Sequence, residues 1–393
     1  MDEKFALPAH VSQCCAALRR AGYQAHPVGG CVRDLLLGRA PGDWDVCASA
    51  LPEQTSALFP RTVPTGLRHG TVTILTDGGP IEVTTFRRES SYSDGRHPDA
   101  VTFGVSLADD LSRRDFTVNA MALDEGGSVI DLFGGRSDLN CGLIRCVGRP
   151  NLRFSEDALR MLRAVRFSAQ LRFGLHEETA AAIRRLAHLT ARLSPERIRT
   201  EVEKTLLTSS PETAGMLFDF GLIPGLPAGQ PRSMTALATL PADPLPRWAG
   251  LCGCLIKSGL ILDASSFLSA LRLDGGTLRA CAAGEGLWRE ALPASPAGWR
   301  RALSRLGPDA CRAAAVMEGA EALSALEEVT ARRPCVTVRQ LALSGGELAA
   351  LGFTGPAIGA AQRRLLAHVL EHPEDNHAHR LRELLDQAYR QIT

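Results

Sequence analysis

The chain has 393 residues and a mass of 42.1 kDa, too long for one hydrophobic core, so we expect two to four domains. Hydrophobic residues make up 45% of the chain and charged residues 22%, which indicates a globular protein and excludes the disordered and collagen-like classes. The formal net charge is +1, so a polyanionic partner must be bound by a local basic surface and not by the chain as a whole.

Membrane-spanning, secreted and disulfide-rich classes do not fit the sequence. The best apolar run, around residues 249–262, is interrupted by Lys257 and is shorter than the roughly 18 residues that a membrane span needs. The first residues, MDEKFALPAH, are acidic and lack the apolar core of a signal peptide. The eleven cysteines are odd in number and have no paired spacing. These patterns predict a reduced, cytoplasmic protein that does not bind a membrane.

The first 145 residues have the pattern of an α+β domain. Apolar residues with helical spacing cover 11–22, and a second helix is predicted from Cys31, directly after Gly29 and Gly30. Short apolar runs separated by Gly, Asp and Pro predict strands at 69–75, 80–87, 100–105, 117–123 and 128–133. We therefore assign residues 1–145 to an α+β head with a small mixed sheet.

After Pro150 the pattern becomes helical. Residues 155–171 predict a helix capped by Ser155, and further helices are predicted over 177–193 and 194–207, the last beginning with Ser194 and Pro195. Segments rich in Pro and Gly separate the helical stretches that follow. We divide this all-helical part into a neck, a body and a tail, over 146–207, 208–290 and 291–393.

The segment GGCVRD (29–34) followed by DWD (43–45) is the most informative part of the head. Paired glycines at the start of a helix let backbone N–H groups approach a phosphate. Asp43 and Asp45 are two residues apart on an extended segment, so both carboxylates point to one face and can bind divalent cations. A lone DxD is otherwise a solvated turn. Together with the glycines it predicts a metal-dependent site for a nucleoside triphosphate.

Two further segments of the head can complete this site. Glu82 lies on a predicted strand, as a third metal ligand, a surface residue or a partner of Arg87. In RRDFTVNA (113–120), Arg114 can bind phosphate, while Asp115 and Asn119 can contact ribose hydroxyls. In isolation the segment is a charged turn. The polar residues 87–100 between these segments predict a mobile loop over the site.

The first neck helix has a charged stripe formed by four residues spaced by three: Asp157, Arg160, Arg163 and Arg166. Such a stripe is usually a solvated face, but here it borders apolar positions. Cytosine and adenine both present an amino donor beside a ring-nitrogen acceptor, which an Asp and an Arg can recognise together. Uracil and guanine have the opposite pattern and would leave buried groups unpaired. The stripe therefore predicts selection of C and A without a nucleic-acid template.

These motifs together resemble those of the class II CCA-adding tRNA nucleotidyltransferases and the related bacterial poly(A) polymerases. The similarity covers roughly residues 20–206, with a weaker match at 369–385. The motifs have the order and spacing of that family: GGCVRD with DWD, RRDFTVNA, DLFGGRSDL (131–139), RFSEDALRMLRAVRF (153–167) and SPERIRTEVEKTL (194–206).

The resemblance implies roles for single residues. Asp43 and Asp45 match the family's magnesium ligands, and Asp157 with Arg160 matches its base-reading pair. The other positions that match nucleotide contacts are Gly30, Arg33, Arg114, Arg163 and Arg166. The motif DLFGGRSDL matches the family's hinge between head and neck.

The activity implied is addition or repair of the 3′-terminal CCA of tRNA from CTP and ATP, with Mg²⁺ as cofactor and pyrophosphate as product. The helical parts would bind the acceptor and T arms; residues 145–204 contain 13 basic and 7 acidic residues, which fits contacts to RNA phosphates. Poly(A) polymerases of the family carry an extra basic signature that is absent here. An A-adding enzyme, a poly(A) polymerase and a non-catalytic RNA-binding protein remain alternatives, and a homodimer is possible.

Overall fold

The computed structural model describes residues 4–67, 70–90 and 100–390. Contacts within the chain divide it into two compact units, Met1–Gln230 and Pro231–Thr393. The first unit contains the sheets and all the candidate site residues, and the second is built from helices. The finer division into head, neck, body and tail stays a prediction.

The first unit has an α+β head that is followed by helices. Its strands are β1 (Ala25–Pro27), β2 (Trp44–Ala48), β3 (Thr62–Gly66), β4 (Thr71–Thr76), β5 (Gly79–Thr85), β6 (Arg87–Ser90), β7 (Ala100–Phe103), β8 (Met121–Leu123), β9 (Val129–Asp131), β10 (Leu143–Ile144) and β11 (Gly174–Leu175). Its helices are α1 (Ala9–Arg20), α2 (Gly30–Leu36), α3 (Pro52–Leu58), α4 (Leu107–Ser112), α5 (Gly135–Asn140), α6 (Pro150–Glu156), α7 (Leu159–Leu171), α8 (Glu177–Leu186), α9 (Pro195–Leu206) and α10 (Gly215–Asp219).

The helices of the second unit are α11 (Pro244–Lys257), α12 (Ala264–Ala270), α13 (Gly275–Glu290), α14 (Pro296–Leu306), α15 (Pro308–Glu318), α16 (Ala320–Ala331), α17 (Gly345–Ala350), α18 (Pro356–Glu371) and α19 (Ala378–Arg390). The apolar run noted in the sequence overlaps the end of α11, a helix of 14 residues. Within the described ranges, every helix is too short or too polar to cross a membrane.

The main sheet of the head has five strands in the order β1-β2-β5-β4-β3. Strands β2 and β5 are parallel and the other neighbours are antiparallel, so the predicted mixed sheet is confirmed. The prediction of one strand over 117–123 is correct only in part, because Thr117–Asn119 form a 3₁₀ turn before β8. The sequence patterns did not predict the short elements β1, β3, α3 and α4.

The alternation of side chains along β2 and β5 separates the core from the site. Val46 and Val83 are paired in register and belong to the hydrophobic cluster that includes Val11 and Leu18 of α1. The residues one position earlier, Asp45 and Glu82, point to the opposite face of the sheet. The face away from α1 therefore carries the acidic side chains.

The predicted continuous helix over 155–171 is wrong. Helix α6 ends at Glu156, Asp157 has an extended backbone with φ −140° and ψ 106°, and α7 begins at Leu159. Ser155 lies inside α6 and not at the start of a helix. The Asp157 carboxylate accepts a hydrogen bond of 3.0 Å from the Leu159 N–H, so this side chain caps the first turn of α7. By contrast, α9 begins at Pro195 as predicted.

Candidate active site

Three carboxylates define the acidic side of the candidate site. Asp45 on β2 is paired in register with Glu82 on β5, and paired residues of neighbouring strands present their side chains on the same face. Asp43 is exposed and lies just before β2, two residues ahead of Asp45. The pairing of strands 35 to 40 residues apart in sequence thus places Glu82 beside the DxD motif, as the alternation had suggested.

The carboxylates of Asp43, Asp45 and Glu82 have no hydrogen-bond or ion-pair partner within the described residues. Burial raises the pKa of Asp45 above its usual range. The positive charge of Arg114 opposes this increase, whereas the negative charges of Glu82 and Asp43 add to it. This face of the sheet therefore concentrates negative charge that nearby cations of the chain only partly compensate.

Among the described residues, Asp43, Asp45 and Glu82 do not form a preformed set of three metal ligands. In residues 4–67, 70–90 and 100–390, no group of three or more His, Cys, Asp or Glu side chains is close enough to form a metal site. Glu82 acts on Asp45 through its charge, but it does not complete a preformed set of three ligands. Asp43 and Asp45 offer hard oxygen ligands that form no ion pair within the described residues, a donor set that suits Mg²⁺ when substrate and water supply the remaining oxygens.

Gly29 lies between Asp45, on the acidic side of the site, and Arg114, on its basic side. Its backbone has φ +83°, a region that favours glycine. A Cβ atom at this position would lie 3.0 Å from Nη1 of Arg114 and 4.0 Å from Oδ2 of Asp45. The absent side chain is thus what allows these two groups to approach the same stretch of backbone. Gly30 follows as the first residue of α2, which has only seven residues.

Arg114 is held in place by a carboxylate that the sequence motifs did not single out. Asp110, at the end of α4, is fully buried and accepts hydrogen bonds from Arg114 Nη2 at 3.2 Å and from Arg113 Nη2 at 2.7 Å. The Nε atom of Arg114 is buried and has no hydrogen-bond partner among the described residues. The bond to Asp110 thus leaves one buried donor of this arginine unsatisfied among the described residues.

The segment RRDFTVNA connects the sheet with the neck helices. Nη1 of Arg33 donates a hydrogen bond of 2.6 Å to Asn119 Oδ1. Asp115 lies 2.6 Å from Nη2 of Arg163 on α7, and this neighbouring charge helps to hold the pKa of the buried Asp115 carboxyl below its usual range. The proposed contacts of Asp115 and Asn119 with ribose would have to coexist with these internal bonds.

Asp157 and Arg160 lie on either side of the start of α7, and each already has a partner within the chain. The Asp157 carboxylate is 3.1 Å from Nη2 of Arg197 on α9. Nη1 of Arg160 lies 2.6 Å from Glu156 Oε2, and its Nη2 donates to the carbonyl oxygen of Arg113 at 3.2 Å. This last bond connects the predicted base-reading pair directly with the segment that carries Arg114.

Arg163 and Arg166 follow on the same helix and surround Phe167. The Arg166 Nε atom lies 3.2 Å from Oε2 of the buried Glu201 on α9, and burial lowers the pKa of this arginine. The guanidinium carbon lies 5.3 Å from the centre of the Phe167 ring for Arg163 and 4.5 Å for Arg166. The two arginines are therefore fixed by acidic and aromatic neighbours on the inner side of the neck.

Contacts between the segments connect most of the predicted residues, and the backbone N–H of Arg160 donates a hydrogen bond of 3.1 Å to the carbonyl oxygen of Asp157. These contacts also involve residues that the sequence interpretation missed: Asp110, Glu156, Phe167, Arg197 and Glu201. Arg197 and Glu201 are four residues apart in SPERIRTEVEK, a motif already recognised, so their spacing could have indicated a shared helix face.

The predicted hinge and loop have different outcomes. In DLFGGRSDL the carboxylate of Asp131 accepts hydrogen bonds from the backbone N–H groups of Phe133, Gly135 and Arg136, so the segment forms a tightly bonded turn. Its predicted role as a hinge stays a prediction. The loop predicted over 87–100 is flanked by the antiparallel strands β6 and β7, and residues 91–99 between them lie outside the described residues.

A small mixed sheet with an acidic pair beside an arginine-lined glycine turn is the architecture of a nucleotidyltransferase head. Residues 25–145 match the family described as Poly A polymerase head domain. Residues 172–229 match the family described as Probable RNA and SrmB- binding site of polymerase A. Both matches agree with the α+β head that is followed by helices in the structure.

Individual relatives narrow this class. The CCA-adding enzyme of Limosilactobacillus fermentum is 40% identical over 367 residues, which cover 90% of both chains. That of Geobacillus kaustophilus is 47% identical over 266 residues, 65% of this chain and 64% of the relative. The solved structure of the Bacillus stearothermophilus CCA-adding enzyme in complex with CTP is 34% identical, with a TM-score of 0.79 over 99% of both chains. The chain belongs to the CCA-adding enzyme family, which confirms the predicted resemblance.

Proposed function

We propose that this protein adds or repairs the 3′-terminal CCA of tRNA from CTP and ATP and releases pyrophosphate. One observation carries the proposal: Asp45, which has Asp43 two residues before it, lies near Arg114, and the carbonyl oxygen of the adjacent Arg113 accepts a hydrogen bond from Arg160 on α7. A site for cation-bound phosphates is thus continuous with a site for the base. Membership in the CCA-adding enzyme family supports the same reaction.

Mg²⁺ is the cofactor we propose, with Asp43 and Asp45 as the residues that would hold it. When bound, the ion supplies positive charge to the triphosphate and lowers the pKa of the attacking 3′-hydroxyl, and nucleotidyl transfer commonly uses two such ions. Glu82 adds negative charge beside the pair. Burial of Asp45 strengthens these electrostatic interactions because it reduces the screening by water.

The basic side of the site would bind and orient the triphosphate. The Nη2 atom of Arg114 is anchored by Asp110, so its guanidinium is fixed beside Gly29 before a ligand arrives. Gly29 has no side chain that would displace the Arg114 guanidinium from the turn where we propose that the phosphates bind. In the reaction the 3′-oxygen of tRNA bonds to the α-phosphorus, and the bond from that phosphorus to pyrophosphate breaks.

Asp157 and Arg160 would select the base. The Asp157 carboxylate receives hydrogen bonds from Leu159 and Arg197, which leaves acceptor capacity for the amino group of cytosine or adenine. Arg160 would donate to the adjacent ring nitrogen. Since Arg160 is buried and held by Glu156, it cannot readily turn away from a base with the opposite pattern. Uracil and guanine would therefore be rejected by unpaired polar groups.

The helical parts would bind tRNA, and we propose its acceptor and T arms as the contacted regions. Arginines outnumber acidic residues on α6 to α9, next to the site. An A-form stem presents mainly phosphates and 2′-hydroxyls, so recognition of tRNA is expected to depend on shape. Cytoplasmic location fits the reduced state expected for the many thiols.

A poly(A) polymerase is the second candidate, because both matching families carry that name. The two candidates differ in product length. A tRNA transcript that lacks its CCA end is incubated with Mg²⁺ and CTP, with ATP, or with both, and the products are resolved on a sequencing gel. We expect two added residues with CTP alone and three with both nucleotides. A long tract from ATP alone would favour the polymerase, and no extension would contradict catalysis.

A further inference from the structure

Phe167 on α7 is surrounded by three guanidinium groups. The guanidinium carbon lies 4.5 Å from the ring centre for Arg166, 5.3 Å for Arg163 and 5.7 Å for Arg33. The ring is 6% exposed, so water contributes little to keeping the three positive charges apart. No motif used in the sequence interpretation assigned a role to this residue.

The ring is itself fixed by the head. Phe116 of the segment RRDFTVNA contacts it edge to face, with ring centres 5.7 Å apart and an angle of 76° between the ring planes. Phe116 is fully buried, and its neighbour Asp115 pairs with Arg163. The position of the Phe167 ring is thus coupled to the segment that carries Arg114.

Each of the three arginines forms an ion pair with a different carboxylate. Arg33 pairs with Asp34, Arg163 with Asp115 and Arg166 with Glu201. An aromatic face carries negative partial charge without a net charge, so it attracts cations but does not neutralise them.

We propose that Phe167 is a positioning residue for nucleotide binding: its ring holds Arg33, Arg163 and Arg166 together in the orientation that an incoming nucleoside triphosphate needs. The inference rests on the proposed function, in which these arginines contact the nucleotide. It adds a reason why three like charges can remain in one buried place before the triphosphate arrives. A fourth carboxylate could also hold them, but it would repel the triphosphate.

The test distinguishes the electrostatic attraction of the aromatic face for the arginines from the effect of side-chain volume. Phe167→Tyr keeps an aromatic face, whereas Phe167→Met and Phe167→Leu keep an apolar side chain of similar volume without one. The matched control is Phe220→Met, because Arg184 lies 4.7 Å above the Phe220 ring outside the proposed site. Dissociation constants for CTP and ATP are measured by calorimetry, together with KM and kcat for CCA addition, KM for tRNA, and the thermal unfolding midpoint.

We expect Phe167→Met and Phe167→Leu to weaken CTP and ATP binding about 5- to 20-fold, since up to three cation–π contacts are lost. The constant for Phe167→Tyr should stay within about twofold of the wild type, as should KM for tRNA in all variants. Phe220→Met should not change nucleotide binding. If the Met and Leu variants unfold at a lower temperature than the wild type, that result agrees with the proposal only if the Phe167→Tyr variant binds CTP and ATP as the wild type does.

The proposal is overturned if Met, Leu and Tyr have the same effect on nucleotide binding, or if none of them changes it. A change in KM for tRNA equal to that for CTP would also contradict it, because a general loss of structure would then explain the result. Failure of the proposed function is distinguishable: the wild type would then extend no tRNA, while the calorimetric comparison of the variants would still decide whether the ring positions the arginines.

Discussion

The acidic face of the sheet and the charged side of α7 satisfy their charges in different ways. Asp43, Asp45 and Glu82 have no ion-pair partner within the described residues, and their mutual repulsion contributes to the raised pKa of Asp45. On α7 and just before it, the charges are paired within the chain, Asp157 with Arg197 and Arg163 with Asp115. The charges of the first region have no ion-pair partner among the described residues, whereas those of the second are preorganised by pairs within the chain.

This difference assigns different tasks to the two regions. Neighbouring carboxylates that form no ion pair repel one another, so a ligand that brings positive charge would reduce this repulsion, as we propose for Mg²⁺. A set of paired charges keeps its geometry without a ligand. Such a fixed set of hydrogen-bonding groups can favour one base over another. Substitutions on the sheet are therefore expected to affect the chemical step, and substitutions around α7 the choice and positioning of the nucleotide.

The largest effect is expected for Asp45→Asn, which removes one negative charge from the acidic face but keeps its shape. CCA addition should fall by about 10³-fold or more, because the metal-binding pair is broken, while the dissociation constant for tRNA changes less than about twofold. Primer extension and fluorescence anisotropy measure the two quantities. The control is Asp77→Asn, since Asp77 is a fully exposed carboxylate in the same head. Persistent turnover in Asp45→Asn would show that the metal assignment is wrong.

Asp157→Ala tests the other region. The ratio of CTP to UTP incorporation should fall about 10- to 100-fold, because the carboxylate that accepts a hydrogen bond from the amino group of cytosine is lost. Competition assays with labelled CTP and UTP on the same tRNA give this ratio. Affinity for tRNA should change little. Glu178→Ala, at an exposed position of α8, is the control. An unchanged ratio would remove Asp157 from base selection.

Asp115→Asn tests whether the paired charges also stabilise the fold. The variant should unfold with a free energy about 2 kcal/mol lower at pH 7, a moderate value because the Arg163 side chain is 33% exposed. The pKa of Asp115 is depressed in the folded protein, so the stabilisation is present above its unfolded value of about 3.9 and disappears as the pH falls below it. Urea denaturation at pH 7 and pH 3 should therefore show a smaller difference at pH 3, and an equal difference would contradict the ion-pair explanation.

Glu82→Gln is expected to have the smallest effect. Glu82 lies beside Asp45 but does not belong to an assembled set of three ligands, so kcat should change less than about tenfold. Steady-state kinetics over a range of Mg²⁺ concentrations measure this change. A loss as large as that of Asp45→Asn would instead identify Glu82 as a third ligand and would extend the acidic region from two essential carboxylates to three.

Much of the architecture could be predicted from local patterns. Alternating apolar residues predicted β4 and β5, and helical spacing predicted α1, because the periodicity of a strand or helix is repeated along the sequence itself. The sequence pattern did not predict the break between α6 and α7, and the reason for this failure is also local. An Asp that caps its own following helix is compatible with a continuous helical pattern until its backbone conformation is known.

The sequence by itself determined the family, the mixed-sheet head and the DxD motif, since each depends on the order and spacing of neighbouring residues. Only the tertiary structure decided which polar side chains are paired: Asn119 accepts a hydrogen bond from Arg33, 86 residues away, Arg163 pairs with Asp115, 48 residues away, and Arg197 with Asp157, 40 residues away. Ion pairs and aromatic contacts act over a few ångströms of space and carry no signature in local spacing. Their partners therefore become known only when the chain has folded.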